Sequence, residues 1–139
     1  MSAPKLRLGT TAWFEMVGAL MVDAATRSGL SPKLNLSFVE LYTDGVELEN
    51  GLVQGICFDI IAGQPSFRVG VRPGERGDVT VEITTAAAQR LNSLRSIDPL
   101  YADAINQVLR TGEMRVNGDP SRLGGWLQEL HDSIVEHTL

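Results

Sequence analysis

A single cysteine in 139 residues excludes an internal disulfide and suits a reducing compartment. Basic residues are scarcer than acidic ones: 12 Lys+Arg against 17 Asp+Glu, a formal net charge of −5. A domain that neutralises phosphates carries the opposite excess, which argues against nucleic acid as a partner and against polybasic docking on anionic lipid. No apolar run reaches the ~20 residues of a membrane-spanning helix. The longest, Thr11 to Ala25, is broken by Glu15 and Asp23. Met1 to Arg7 could pass for the basic head of a signal sequence, but those acids and the lack of a small-residue cleavage site argue against secretion. The expectation is a soluble, cytoplasmic protein without a transmembrane segment.

Constellations that carry chemistry are missing too. Cys57 falls in mid-strand with no base marked beside it, so it reads as buried and inert. His131 and His137 are the two histidines, six residues apart, which puts them on no common metal by helix spacing. Both read as solvated or helix-edge residues. Asp44, Glu47 and Glu49 share a loop but lack the alternating pattern of a calcium site. Gly70, Gly74 and Gly77 match neither a dinucleotide fingerprint nor a Walker loop, and Ser66 follows Pro65 rather than sitting in Gly-x-Ser-x-Gly. The expectation is no catalytic residue, no metal and no cofactor.

What is present is an ordinary globular composition, 43% hydrophobic and 21% charged, at a length typical of one domain. Trp13, Val17, Leu20, Met21 and Ala24 recur at helical spacing, with Thr10 or Thr11 to cap the start and Gly29 to end it. The period then becomes two. Leu34, Leu36 and Phe38 share one face of a strand running to about Tyr42, followed by the turn dipeptides Asp44-Gly45 and Asn50-Gly51. Ile56, Phe58 and Ile60 mark a second strand, Gly63 to Ser66 a tight turn, Phe67, Val69 and Val71 a third strand, and Val79, Val81 and Ile83 a fourth. Helices follow over Ala86–Leu94, capped by a threonine, and from Asp98-Pro99 to Gly112; then come a short strand, Glu113 to Asn117, and a last helix from Asp119-Pro120.

This order predicts one α+β domain over residues 1–139: an N-terminal helix at about 10–28, then sheet and helices over 34–139. The sheet is five-stranded and mostly antiparallel, with helices packed on one face. The apolar surplus, including Trp13, Phe14, Phe38, Phe58, Phe67, Met114 and Trp126, fits a packed core or a ligand tunnel. Periodicity does not separate the two.

The second half carries a resemblance. The strand Asp78-Val-Thr-Val-Glu-Ile-Thr84, the Asp98-Pro99 turn and the segment Gly112-Glu-Met-Arg-Val-Asn-Gly-Asp119 resemble the sterol-carrier-protein type-two (SCP-2-like) family over roughly Phe67 to Leu130. The resemblance implies an apolar tunnel between sheet and helices for a fatty acyl chain, acyl-CoA or sterol-like molecule, closed in part by the last helix. It also implies non-catalytic carriage of that ligand. By position, the implied lining is Phe58, Ile60, Val69, Val81, Leu91, Ile105, Leu109, Met114, Trp126, Leu127 and Leu130. Two other readings stay open. One is a packed accessory domain without ligand, for instance a homodimer. The other is a hot-dog thioesterase, although that fold places its strands after one central helix.

Overall fold

Thr10 starts the first helix. Its backbone is extended, and its hydroxyl accepts the Trp13 N–H at 3.2 Å, which satisfies one of the donors a helix start leaves free. In the computed structural model, which describes residues 4–49 and 51–139, α1 spans Thr11–Ser28 and ends at Gly29, left-handed at φ 76°. Met1–Ala3 and Asn50, the first residue of the second turn dipeptide, lie outside the described residues. One side of α1, including Trp13, Phe14, Val17, Met21 and Ala25, is buried.

Five strands form one mixed sheet: β1 Leu36–Tyr42, β2 Val53–Ile61, β3 Gln64–Val71, β4 Val79–Ile83 and β5 Met114–Asn117. Their spatial order is β3-β2-β1-β4-β5. Neighbours are antiparallel except β1 and β4, which pair in parallel with Glu40 opposite Val81. The turn expected at Gly63–Ser66 is shorter and earlier. Ile61 pairs with Gln64, leaving Ala62 (φ 50°) and Gly63 (φ 74°) as a two-residue hairpin turn. Pro65 is thus a strand residue, tolerated because β3 is an edge.

From that edge the chain returns to the centre through Arg72–Asp78. Glu75 in this crossover accepts hydrogen bonds from the Arg68 guanidinium and from the Arg72 N–H. It runs on the side of the small outer cluster of Val39, Cys57 and Val71. The opposite face carries the main core: Leu36, Phe38, Ile56, Phe58, Ile60, Val79, Val81 and Ile83 meet the helices there. These are α2 Thr85–Asn92, capped by Thr84; α3 Pro99–Thr111, capped by Asp98; and α4 Trp126–Glu136. The last helix starts later than the sequence suggests. Asp119 caps and Pro120 leads, but what they open is a single 3-10 turn, Pro120–Leu123. Gly124, at φ 118° and ψ 167° in a region glycine alone populates, interrupts the chain, and α4 begins after Gly125.

Gly18 lets α1 close on β3, because a Cβ there would sit inside the Phe67 ring. Alanine in mid-helix is ordinarily favoured over glycine by about 1 kcal/mol. Here overpacking outweighs that gain, so Gly18→Ala should destabilise the fold by roughly 1–2 kcal/mol net. Denaturant unfolding reads the sign directly, and a stabilised Gly18→Ala protein would show that α1 does not rest on Phe67.

Candidate ligand cavity

Because side chains alternate along a strand, Leu36, Phe38, Glu40 and Tyr42 all share the helix-facing side of β1. The periodicity that put Leu36 and Phe38 in the core carries on to an acid. Above this part of the sheet lies a cavity of about 660 Å³. Its floor is Phe38, Glu40, Tyr42, Val81, Ile83, Met114 and Val116; α1 adds Trp13, Val17 and Met21, and the remaining helices add Ala88, Leu91, Ile105, Leu127, Leu130 and Ile134.

Of the residues expected to line a tunnel, the structure brings Val81, Leu91, Ile105, Met114, Leu127 and Leu130 to this cavity. Five others it does not. Phe58 and Ile60 on β2 have no exposed surface, and Phe58 packs against Trp126 with ring centroids 5.6 Å apart. Trp126 points into that packing and donates its indole N–H to the Leu123 carbonyl at 2.7 Å. Val69 lies on the edge strand β3, where it packs into the core on the α1 side of the sheet. Leu109 is 44% exposed. Val108 takes the buried position on α3, and the next residue, about 100° further round the helix, turns outward. The β2–β3 half of the sheet is therefore closed, and the space lies over β1, β4 and β5.

Several polar groups on the cavity wall already have partners. Asn92 donates to the Ala88 carbonyl at 2.8 Å, and the Ser96 N–H and hydroxyl both go to Asp132. His131, expected at a solvated helix edge, instead lines the cavity. Its Nε2 lies 2.6 Å from the Leu94 carbonyl and its ring stacks on Tyr101 at 4.2 Å, fastening α4 to the end of α2. On β1 two groups lack one. The Tyr42 hydroxyl is buried, in a residue 3% exposed, and has no hydrogen-bond partner among the described residues. Glu40 is half-buried; its carboxyl receives no hydrogen bond from any described residue, and desolvation by the surrounding wall pushes its pKa up to about 7. Burial first, then the neighbouring Glu40 charge, push the Tyr42 phenol above its ordinary range.

Neither residue stands out in the sequence as a motif. The available signal was parity: Glu40 is the acid on the buried register of a central strand.

Cys57 faces away from all this, in the outer cluster, beside the Arg68 guanidinium at 3.1 Å. Burial pushes its thiol up to about 12, the opposite of an activated nucleophile.

No family model and no curated protein matches the sequence. Solved structures do match. Sterol carrier protein 2 aligns with 96% of this chain and 100% of its own, at 15% identity and a TM-score of 0.51. The fold is that of sterol carrier protein 2. A conserved hypothetical protein from Thermus thermophilus aligns with 96% of this chain and 91% of its own, at 14% identity and a TM-score of 0.51. A sec-alkyl sulfatase double mutant aligns with 86% of this chain at 19% identity and a TM-score of 0.49. The chain spans 16% of that sulfatase's length.

Within this SCP-2 fold, Glu40 sets a pH dependence. Its folded pKa of about 7 lies above the ordinary 4.5, so the native state binds the extra proton between those values. Stability then falls as pH rises through that window, and the full cost is present above it. Glu40→Gln removes the charge and should stabilise the fold at about pH 8 by on the order of 2 kcal/mol, with no comparable gain at about pH 4. Urea unfolding at the two pH values measures the difference. An equal effect at both would place Glu40 in contact with bulk water.

Proposed function

We propose that this chain binds and carries an apolar, lipid-like small molecule in the cavity between its sheet and helices, without covalent chemistry. The observation that carries the reading is the cavity itself. Its volume of about 660 Å³ falls in the range of small-molecule sites, and such sites combine apolar walls with a few placed polar groups. Val81, Leu91, Ile105, Met114, Leu127 and Leu130 would contact the ligand. The likeness in fold to a protein named sterol carrier protein 2 supports the same reading. No described helix is long and apolar enough to cross a membrane.

The energetics are adequate. Burying a dozen methylenes contributes on the order of 10 kcal/mol at ~0.8 kcal/mol each. Association costs an estimated ~4–15 kcal/mol, least where the site is preformed. Micromolar affinity is within reach of a preformed cavity and out of reach of a filled core.

Val81, on the cavity floor next to Glu40, provides the test. Val81→Phe projects a ring into the space. With an empty cavity it should weaken binding of the neutral dye Nile red at least about tenfold while the thermal midpoint barely moves. In a close-packed interior the same change destabilises by about 1–3 kcal/mol, and wild type binds no dye. That second outcome would leave a packed accessory domain.

A further inference from the structure

The cavity wall carries one acid and, among the described residues, no lysine or arginine to answer it. That acid is Glu40, half-buried in the middle of β1 between Ile56 of β2 and Val81 of β4. The ion pairs among the described residues all use other acids, each with an arginine, and none of their members lines the cavity. The space therefore holds a carboxyl whose counter-charge the described residues do not provide.

We propose that Glu40 makes this cavity selective for an amphiphile with a protonated amine head, which pairs with the carboxylate while the apolar tail lies against the rest of the wall. This rests on the ligand-carrying reading above and names the ligand class for it.

Charge and donor count select the head. An ionised carboxylate only accepts hydrogen bonds, so it needs a donor. An ammonium brings donors and the opposite charge together, and such charge-assisted bonds are about twice as strong as neutral ones. A hydroxyl head brings a donor without the charge. A carboxylate head brings neither and meets Glu40 as a like charge. An apolar cavity alone would favour the alcohol, because taking a lone ammonium out of water is costly. Here the wall has already withdrawn water from the acid, as its pKa of about 7 reflects, so an arriving ammonium completes a pair instead of adding a solitary charge.

The other titratable groups on the wall are few. Tyr42 on β1 has its hydroxyl enclosed, and Tyr101 on α3 and His131 on α4 stack on each other. The lining positions on α1, α2, β4 and β5 carry no titratable side chain. Glu40 ionises between about pH 5.5 and pH 8, a range in which an alkylammonium stays protonated, so the preference should rise with pH.

The test is competition of decylamine, decanol and decanoate against the neutral dye Nile red. Wild type at about pH 8 should bind decylamine at least roughly threefold more tightly than decanol, and decanoate the least. Lowering the pH to about 5.5 should shrink the ratio of decylamine to decanol affinity severalfold. Glu40→Gln should reverse the order of decylamine and decanol and remove the pH dependence. Glu15→Gln takes the same charge from the exposed side of α1 and should leave the ratio as in wild type. Decanol matching decylamine in wild type at pH 8 overturns the proposal. So does a ratio that ignores Glu40→Gln, that falls equally in Glu15→Gln, or whose pH dependence survives in Glu40→Gln and thus belongs to His131. In each of these cases Nile red binding keeps the carrier reading intact. Failure of wild type to bind Nile red at all overturns both.

Discussion

The cavity depends on the parallel pairing of β1 with β4. It is the one parallel pair in the sheet, and it brings together segments that a hairpin and a crossover hold apart in sequence. A carboxylate pins it at each end. Asp78 accepts hydrogen bonds from the Ser37 N–H at 2.9 Å and the Ser37 hydroxyl at 3.1 Å, and its own N–H donates to the Ser37 oxygen at 2.9 Å. Asp44 accepts from the Thr85 N–H at 2.8 Å and the Thr85 hydroxyl at 2.9 Å. These bonds hold both carboxyls below their usual range. The result is that β1 lies in the centre of the sheet, flanked by β2 and β4. Its register with Ile56 on β2 and Val81 on β4 puts Glu40 on the helix side of the sheet, half-buried.

The two halves of the sheet then take different fates. Over β2 and β3, the glycine at position 18 lets α1 settle on Phe67, and Trp126 seals the region of Phe58. Over β1, β4 and β5 the covering is looser. There the middle of α4 is held to the chain just after α2, His131 to Leu94 and Asp132 to Ser96, and His131 stacks on Tyr101 of α3. They span the floor without filling the space above it. The Glu40 carboxyl lies on that floor, where its residue is half-buried; close packing by apolar side chains would strand it in a dry core at a cost of several kcal/mol.

Local rules made most of the framework legible. Thr10, Thr84 and Asp98 cap the helices expected of them, and Gly29 and Gly112 end theirs in left-handed conformations. Period-two patterning placed Ile56, Phe58 and Ile60 on the core face and Cys57 on the other. Less legible were features decided by tertiary packing. Phe58 and Leu109 were both tunnel residues only as the family resemblance implied by position. One is fully enclosed by Trp126, and the other emerges at the surface. The hairpin turn moved to Ala62–Gly63 because strand pairing continues through Pro65 on an edge that needs no donor there. Glu40 was missed for a different reason. An acid on a strand reads as solvent-facing, and only the pairing of β1 on both sides turns its register into partial burial.

The central claim is that the space over β1, β4 and β5 takes up an apolar molecule. Native mass spectrometry of the protein, before and after incubation with decanol, addresses it most directly, with solvent extraction to release whatever is held. The account predicts a one-to-one adduct that organic solvent removes. Protein that keeps the bare mass of its chain under both conditions would contradict it.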